Sequence, residues 1–340
     1  MKIALLTPTF SGFSGIDRVV ELDAEDYIDK GNEVTIFTFK ADLKPKRAKL
    51  IELGMPKNPF LERIYRLFFF LDFLKINKYG KLLKAYDKVI SHFYPMNWLA
   101  IYAKKHYNIK YIYYNHGIAY PQLFRNFFER IYMAFFRFFA NYTAKKADYA
   151  VSISKFLRDK LKKEIGLNSK VIYNSIDKKR FHPGIDGAKV RKKYGIKDKD
   201  PVLLYVGRIS PHKGIDLLIK SFNLILKENP NAKLLIVGKQ TFDDYTEELK
   251  RLARKINEKV IIFTDFISDK ELPYYYATCN VYTTATLWEG YDLPVVEAQA
   301  CGKPVVAFDL CSHPEVVKNG ILVKPKDIEE FAKAILKILK

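Results

Sequence analysis

Residues 284–302 read TATLWEGYDLPVVEAQACG, and the pattern of this stretch, with the residues just before it, indicates a strand, a loop and a helix in succession. A strand-like run, Cys279 to Thr283, precedes it and leads into a glycine-containing loop. Leu293-Pro294 then opens an apolar helix, because proline is well tolerated at the first helical position, where no N–H is needed. Gly302 ends that helix. Backbone N–H groups near residues 290–295 therefore point out of a helix N-terminus beside the end of a strand, which predicts an anion-binding site.

Two carboxylates flank this predicted anion site. Glu289 lies in the loop and Glu297 lies one turn into the helix, with seven residues between them. Acids beside an anion site are unfavourable, unless the ligand has hydroxyl groups that donate to the acids and a phosphate that accepts from the N–H groups. A nucleotide sugar has both groups, so the stretch predicts a nucleotide-sugar site.

Length, composition and charge limit the class of protein. With 340 residues the chain is expected to form two domains, each large enough to bury its own core. Hydrophobic residues make up 49% and charged residues 28%, as in ordinary globular proteins. The net charge of +20 favours anionic partners such as nucleic acid, phosphorylated substrates or an acidic membrane surface.

The cysteines and the apolar segments indicate the cellular setting. The three cysteines, Cys279, Cys301 and Cys311, form no C-x-x-C pair, so we expect neither a disulfide framework nor a zinc site. A reducing compartment is therefore expected. Met1 to Pro8 contains too short an apolar run for a signal peptide and is predicted to form a strand. No segment reaches the roughly 18 apolar residues of a membrane span. We therefore expect a cytoplasmic protein, either free or bound peripherally to the cytoplasmic face of a membrane.

Alternating strand and helix patterns predict an α/β fold with two parallel, doubly wound sheets. The first half has predicted strands at Ile3–Leu6, Val34–Phe39, Lys88–Ser91, Lys110–Tyr114, Tyr149–Ile153 and Lys170–Tyr173. The second half has predicted strands at Leu203–Val206, Leu234–Val237, Val260–Phe263, Val281–Thr283, Val305–Phe308 and Ile321–Val323.

A charged stretch with several prolines and glycines, residues 174–200, predicts the linker between the two sheets. We therefore place the first domain at residues 1–182 and the second at residues 183–340. A last helix is predicted from about Lys326 to Leu339, and it either stays on the second domain or packs back on the first.

Two basic, aromatic stretches stand apart from this alternation. Phe60–Lys84 contains the run LFFFL at residues 67–71, and Gln122–Lys146 contains repeated phenylalanines among arginines and lysines. We call them the basic aromatic helices, because both patterns predict helices inserted in the first domain. Their apolar residues exceed one ordinary buried stripe. Either they lie in a membrane interface, or their rings pack on the sheet while their basic groups reach water.

A second motif lies at the start of the second domain's sheet. The first strand of that sheet ends in GRISPHKG, residues 207–214. Gly207 lets the backbone turn, and Arg208 and Lys213 then lie at the carboxyl end of a strand, where open α/β sheets bind ligands. Two cations there suit a diphosphate, although a solvated basic loop is the alternative. Gly238 ends the next strand at the same sheet edge.

The first domain offers a loop and a histidine as candidates. Residues 11–15, SGFSG, follow the first strand but lack the G-x-G-x-x-G fingerprint, so a nicotinamide cofactor is not indicated. The helix after this loop can still point its N-terminus at a phosphate. His116 follows the strand Lys110–Tyr114 and is either a site residue or a structural group.

No metal site is predicted. The other histidines, which show no ligand spacing, are His92, His106, His182, His212 and His313. The triplet Asp198-Lys199-Asp200 precedes a strand instead of following one, so we interpret it as a turn.

Taken together, these motifs resemble the retaining nucleotide-sugar glycosyltransferases of family 4, which have two facing Rossmann-like domains around a deep cleft (the type B fold). The segments that match in order and spacing are residues 173–177, 206–208, 213–214, 289–294, 297–298 and 301–305. The resemblance extends over nearly the whole chain and is densest from Leu203 to Val323. It implies an acceptor-binding first domain and a donor-binding second domain.

The resemblance also implies roles for individual residues. Arg208 and Lys213 would hold the donor diphosphate, Glu297 the ribose hydroxyls and Glu289 a hydroxyl of the donor sugar. The implied catalytic residues are His116, Arg208, Lys213 and Glu289. The implied donor-binding residues are Gly15, Gly207, Arg208, Lys213, Gly238, Glu289, Gly290, Tyr291, Leu293 and Glu297.

In the first domain, the resemblance implies that Gly15 presents its backbone to the phosphate and that His116 lies near the transferred sugar. It also implies that no cofactor or metal ion takes part. The resemblance further implies that the leaving phosphate itself takes the acceptor proton and that no protein carboxylate acts as a covalent nucleophile.

The chain departs from the family pattern in three places. Ser14-Gly15 stands where two glycines are usual, and Cys311-Ser312-His313 replaces a glycine-rich turn. Asp292 replaces a glycine in the loop that faces the phosphate. A carboxylate facing a diphosphate would repel it, so we expect the Asp292 side chain to turn outward.

We therefore expect transfer of a hexose or related sugar from a nucleoside-diphosphate sugar to an acceptor hydroxyl, with retention of the anomeric configuration. The basic aromatic helices favour a lipid-linked or membrane-presented acceptor, as in assembly of surface polysaccharide or protein-linked glycan. A nucleotide-sugar 2-epimerase of the same architecture is the main alternative, although it does not need this pair of glutamates. A nucleic-acid-binding protein would explain the positive charge, but the sequence contains no recognition motif, so no nucleic-acid partner is expected.

Overall fold

Two large parallel β-sheets organise the chain, one in each of two units. The structure is a computed structural model and describes residues 1–12, 15–240 and 243–340. One unit comprises Met1–Gln122 and Asn126–Ser175, and the other comprises Leu123–Arg125 and Ile176–Lys340. The predicted fold class, α/β with two doubly wound sheets, is confirmed.

The first unit contains a seven-stranded sheet. The strands of this unit, in chain order, are β1 (Lys2–Leu6), β2 (Thr9–Phe10), β3 (Glu33–Thr38), β4 (Lys40–Ala41), β5 (Lys49–Glu52), β6 (Lys88–Ser91), β7 (Lys110–Asn115), β8 (Tyr149–Ser152) and β9 (Lys170–Val171). Its helices are α1 (Gly15–Asp29), α2 (Pro59–Leu67), α3 (Phe73–Leu82), α4 (Asn97–Tyr107), α5 (Phe127–Ala144) and α6 (Lys155–Ile165). The strand order is β5-β3-β1-β6-β7-β8-β9, all parallel, with β2 and β4 paired separately. The order reverses between β1 and β6, so ligands are expected beyond the carboxyl ends of these two strands.

Burial explains which strands the sequence predicts well. Ile3–Leu6 of β1 is fully buried, as expected for a central parallel strand covered on both faces. Strand β5, which was not predicted, reads KLIE and lies half-exposed at the sheet edge. Its charged ends conceal the apolar run by which buried strands are recognised.

The first basic aromatic helix is interrupted, while the second is continuous. Asp72 separates α2 from α3, because its carboxylate accepts hydrogen bonds from the Lys75 backbone N–H at 3.0 Å and from the Tyr65 hydroxyl at 2.8 Å. A side-chain acceptor at this position begins a new helix. In α5, the Asn126 side chain accepts from the Phe128 N–H at 2.8 Å and begins the helix in the same way.

The second unit contains a six-stranded parallel sheet. Its strands are β10 (Val202–Val206), β11 (Lys233–Val237), β12 (Ile261–Phe263), β13 (Val281–Thr284), β14 (Val305–Phe308) and β15 (Gly320–Val323). Its helices are α7 (Ala188–Lys193), α8 (Ile215–Glu228), α9 (Asp243–Ile256), α10 (Leu272–Thr278), α11 (Leu293–Ala300), α12 (His313–Val316) and α13 (Ile328–Leu339). The order β12-β11-β10-β13-β14-β15 reverses between β10 and β13, which defines a second switch point.

The division between the units lies at Ser175–Ile176, earlier than the predicted 182–183 boundary. The predicted linker contains α7, which packs on α10 in the second unit, where Oγ1 of Thr278 lies 3.0 Å from the carbonyl oxygen of Gly187. The last helix, α13, packs on α8 and on β14. It therefore belongs with the second unit and not with the first.

Candidate functional site

The predicted donor residues of the second unit meet at the β10–β13 switch point. The loop after β10 and the loop after β13 are joined by a hydrogen bond from the Leu287 N–H to the His212 carbonyl oxygen, 2.8 Å long. Gly214 allows this approach, because a Cβ there would lie 2.1 Å from the carbonyl oxygen of Ala285. Its φ of +61° also favours glycine. The two loops can therefore touch through their backbones.

A second glycine lets the loop after β11 lie against the loop after β10. A Cβ on Gly238 would lie 1.8 Å from the carbonyl oxygen of Gly207, and the Gly207 N–H donates to the Val237 carbonyl at 2.9 Å. Pairing continues past the strand ends through a bridge between Ile209 and Gln240. The structure thus places Gly207 and Gly238, both predicted donor residues, against each other.

The two predicted cations have different surroundings. Lys213 forms an ion pair with Glu289, and the side chains of both are largely shielded from solvent, at 13% and 20% exposed. Arg208 is exposed, while its carbonyl oxygen accepts from the buried Tyr205 hydroxyl at 3.1 Å. One cation is therefore held by a carboxylate, and the other points to solvent from an anchored loop.

Glu297 is buried within the first turns of α11. Glu297 is only 3% exposed, and its Oε2 accepts a hydrogen bond from the Tyr276 hydroxyl at 2.7 Å. The Tyr276 ring in turn contacts Phe181 and Tyr282 at centroid distances of 5.7 and 5.9 Å. The aromatic cluster therefore holds this carboxylate in place. Sequence reasoning predicted Glu297 but missed Tyr276, which precedes it by a full strand and loop.

Gly290, Tyr291 and Leu293 form the turn that leads into α11, as predicted. Gly290 and Tyr291 are buried, and α11 begins at Leu293 with Pro294 in its first turn. The Gly290 N–H lies 3.3 Å from Oε1 of Glu289. The predicted helix N-terminus beside a strand end is therefore present.

The expectation that Asp292 turns outward is wrong. The residue is 4% exposed, and Oδ2 of its carboxylate lies 3.0 Å from Nε2 of His313 and 3.5 Å from the Thr284 hydroxyl. Burial alone would raise the pKa of Asp292, but the hydrogen bond and charge of His313, together with the charge of Lys213, lower it. The carboxylate therefore turns inward, where a cationic partner compensates it. Sequence reasoning missed His313, although it lies in one of the three departures from the family pattern.

In the first unit, His116 follows β7 as predicted and is paired with a histidine that was not predicted. His116 Nε2 lies 3.1 Å from Nδ1 of His92, which follows β6. Tyr114 stacks on both rings. Burial lowers the pKa of His116 to about 3 and also lowers that of His92. Both rings are therefore neutral near pH 7, so His116 can act as a hydrogen-bonding group there but not as a cation.

Asp23 is a partly buried acid beside this histidine pair. Its Oδ2 lies 4.0 Å from Nε2 of His92. Burial raises the pKa of Asp23 to about 7. The switch point of the first unit therefore contains a carboxyl group that titrates near neutrality.

Gly15 is the first residue of α1, and Phe13 and Ser14 before it lie outside the described residues. The first turn of α1 contains the buried Asp17, whose Oδ2 accepts from the Ser11 N–H and hydroxyl, each at 2.9 Å. Burial raises the pKa of Asp17 to about 6. An acid already lies at the helix end that was predicted to face a phosphate.

The basic aromatic helices are partly buried and partly exposed. Leu67, Phe69 and Phe136 are buried, and Arg63 of α2 binds both carboxylate oxygens of Glu129 on α5, at 2.7 and 2.6 Å. The exposed apolar side chains of these helices include Phe60, Leu61, Leu71, Phe73, Leu74, Phe127, Phe128, Phe135 and Phe138. Packing on the unit therefore accounts for only some of the aromatic residues.

Among residues 1–12, 15–240 and 243–340, no helix combines the length and the apolar character that crossing a membrane requires. The same residues contain no group of three or more His, Cys, Asp or Glu side chains arranged to hold a metal ion.

Solved structures of other proteins share this fold. HepE of Anabaena, solved with UDP and glucose, aligns with a TM-score of 0.81 over 100% of this chain and 90% of that chain, at 22% identity. WaaG, a glycosyltransferase involved in lipopolysaccharide biosynthesis, aligns with a TM-score of 0.76 over 99% and 90% of the two chains, at 16% identity. The fold is that of the type B glycosyltransferases.

Family models match nearly the whole chain. Residues 13–180 match the model of Glycosyltransferase Family 4, and residues 186–340 match that of Glycosyl transferases group 1. The chain therefore belongs to the group 1, family 4 glycosyltransferases, as its motifs predicted.

Curated relatives align over part of their length. The GDP-mannose-dependent alpha-(1-6)-phosphatidylinositol monomannoside mannosyltransferase of Mycolicibacterium smegmatis is 30% identical over 203 residues, which cover 56% of this chain and 52% of the relative. The O-antigen chain mannosyltransferase B of Escherichia coli is 31% identical over 140 residues, which cover 40% and 36%. The chain spans about half the length of the curated relatives it matches.

Proposed function

We propose that this chain transfers a hexose or related sugar from a nucleoside-diphosphate sugar to an acceptor hydroxyl, with retention of the anomeric configuration. The main support is the clustering of Arg208, Lys213, Glu289 and Glu297 around the N-terminus of α11. Cations and helix N–H groups suit a diphosphate, and carboxylates suit hydroxyl groups. A mannosyltransferase relative that depends on GDP-mannose and a structural neighbour solved with UDP and glucose support the same class of donor.

Lys213 and Glu289 exchange partners in this scheme. In the structure each compensates the charge of the other. When a diphosphate binds, Lys213 turns to a phosphate oxygen and Glu289 accepts a hydroxyl of the donor sugar. Neither charge is then left buried without a partner, which would be costly. Glu297, held by Tyr276, accepts the ribose hydroxyls.

The chemical step in this scheme depends on electrostatic stabilisation of the leaving group. The bond between the anomeric carbon and the diphosphate oxygen breaks, and the acceptor oxygen attacks from the same face of the sugar. The diphosphate leaves with the bonding electron pair and takes the acceptor proton. Arg208, Lys213 and the N–H groups at the start of α11 stabilise the developing negative charge. These cations supply the charge that a metal ion would otherwise provide.

We further propose that the acceptor is lipid-linked or membrane-presented and that the protein binds the cytoplasmic face of a membrane. The support is the set of exposed aromatic and aliphatic side chains on α2, α3 and α5, where Leu74 is 86% and Phe128 is 78% exposed. Apolar side chains among arginines and lysines suit an anionic lipid surface. Relatives that act on phosphatidylinositol mannoside and on O-antigen chains support this class of acceptor.

Calorimetric titration tests the donor site. A thermal-shift screen of nucleotide sugars first identifies the donor, because a ligand that binds only the folded state raises the melting temperature. We expect Arg208→Ala and Glu297→Gln to weaken binding of the corresponding nucleoside diphosphate by about tenfold or more. Arg251→Ala, which removes an exposed arginine on α9, is the control. Unchanged affinity in both site variants would contradict the assignment.

Sedimentation with vesicles tests the membrane proposal. Wild-type protein is expected to sediment with vesicles of anionic phospholipid and to be released by salt. The double variant Phe73→Ser, Leu74→Ser should sediment less, whereas Ile172→Ser, an exposed apolar residue outside these helices, should behave as wild type. Equal sedimentation of all three proteins would refute the role of these helices.

A further inference from the structure

His313 connects strand β14 to the N-terminus of α11 through a fully buried ring. Its Nδ1 lies 2.8 Å from the carbonyl oxygen of Phe308, and its Nε2 lies 3.0 Å from Oδ2 of Asp292. A carbonyl oxygen and a carboxylate oxygen are both acceptors, so each ring nitrogen must donate a proton. The ring is therefore an imidazolium, and the Asp292 carboxylate balances its charge inside the protein.

Asp292 depends on this partner for its conformation. Its φ of +55° lies in the left-handed region, which residues other than glycine adopt uncommonly. Such a conformation persists only where surrounding contacts hold it. Here His313 holds the carboxylate, and the end of β14 holds His313.

Asp292 also depends on His313 for its charge. The residue immediately precedes Leu293, the first residue of α11, and the charge of Lys213 also lowers the pKa of Asp292. Without the imidazolium, a buried carboxylate would remain at a helix N-terminus. It would compete with an incoming anion for the N–H groups and for Lys213.

We propose that His313 is a positioning residue of the donor site, which neutralises Asp292 and holds the turn before α11 so that its N–H groups and Lys213 remain available to the donor diphosphate. This inference rests on the proposed nucleotide-sugar function. Asp292 and His313 then act as one unit, and loss of His313 alone is more harmful than loss of both charges.

Calorimetric titration with UDP and with GDP tests the pair. His313→Gln keeps an N–H donor but removes the positive charge, so it leaves the buried carboxylate uncompensated. We expect it to weaken nucleotide binding by about tenfold or more, the effect of one partly screened charge. Asp292→Asn together with His313→Gln replaces the ion pair by two neutral amides, and asparagine tolerates the left-handed conformation. The double variant should bind within about threefold of wild type.

The controls separate this role from a purely structural one. His106→Gln removes an exposed histidine of the first unit and should leave affinity unchanged. A structural role alone would lower the melting temperature of His313→Gln while the folded protein kept its affinity, and that result overturns the proposal. So does a double variant that binds as weakly as His313→Gln. Wild-type protein that binds neither UDP nor GDP, and whose melting temperature no nucleotide sugar raises, overturns the proposed function instead.

Nuclear magnetic resonance measures the protonation of the His313 ring directly. The measurement requires no nucleotide and does not depend on the stability of a variant. In wild-type protein labelled with ¹⁵N-histidine, both ring nitrogens of His313 are expected to show the chemical shifts of protonated nitrogens at neutral pH. The His313 signals are assigned as those that disappear in the spectrum of His313→Gln. If that variant fails to fold, they are assigned from the contacts of the His313 ring protons with neighbouring protons. A ring with one protonated and one unprotonated nitrogen would overturn the proposal.

Discussion

Gly214→Ala is expected to disturb the donor site more than any other single methyl addition in its loop. The added Cβ would lie 2.1 Å from the carbonyl oxygen of Ala285, whereas ordinary contacts begin at 3.4 Å. The two loops therefore have to separate by more than about 1 Å in a region packed like a crystal. That movement breaks the hydrogen bond between Leu287 and His212 and parts Lys213 from Glu289.

Two costs add in this variant. The left-handed φ of +61° costs alanine about 1–2 kcal/mol, and overpacking costs about 1–3 kcal/mol. Urea denaturation should therefore show a free energy of unfolding lower by about 2–5 kcal/mol. A misplacement of about 1 Å in the site should also lower kcat/KM by about 100-fold.

Gly195→Ala is the matched control for backbone conformation. Gly195 has nearly the same φ, +62°, but its Cβ would meet no described atom within 4 Å. It should lose only the conformational cost of about 1–2 kcal/mol and keep its nucleotide affinity. Equal losses of stability and equal nucleotide affinities in Gly214→Ala and Gly195→Ala would contradict this reasoning. The close approach of Gly214 to the Ala285 carbonyl would then not be required for the site.

Two further changes test the buried acids. The pKa of Asp17 is raised from 3.8 to about 6 in the folded state, so its contribution to stability is fully present below about pH 4 and is lost as the pH rises through 6. Between pH 4 and pH 7.5, the free energy of unfolding of wild type should fall by about 2–3 kcal/mol relative to that of Asp17→Asn. A difference that does not change with pH would contradict this. Tyr276→Phe removes a donor to the buried Glu297 and should cost about 1–3 kcal/mol together with weaker nucleotide binding. Tyr275→Phe, which removes a hydroxyl that contacts Tyr194 and Lys193, should leave binding unchanged.

Much of the fold could be predicted, because buried parallel strands are short apolar runs bounded by turn residues. The predictions for β6 and β14 agree with the observed bounds, and the other predicted strands of both sheets are present within a few residues. The strand at Lys49–Glu52 was missed because it is an edge strand with charged ends. The predicted linker includes α7, a short basic helix, and only the packing of α7 on α10 assigns it to the second unit.

The positions of the candidate donor residues in the second unit could be predicted because these residues follow strands directly. Parallel strands bring their carboxyl ends to one edge, so Arg208, Lys213 and Glu289 had to lie near one another. Their pairing could not be predicted, because it depends on how closely the loops approach. The same holds for Tyr276, whose hydroxyl reaches Glu297 from a different helix.

The amino-acid sequence by itself determined the order of strands and helices, the glycines that allow the loops to touch and the residue types at the switch points. These follow from local spacing and from the period of apolar residues. Which charged side chains of the candidate site form ion pairs depends on the tertiary structure, because the partners come from segments that are distant in the sequence. Asp292 follows Tyr291 in the sequence, yet its partner His313 comes from beyond the next strand, and burial makes that pairing necessary because an isolated buried charge is unstable.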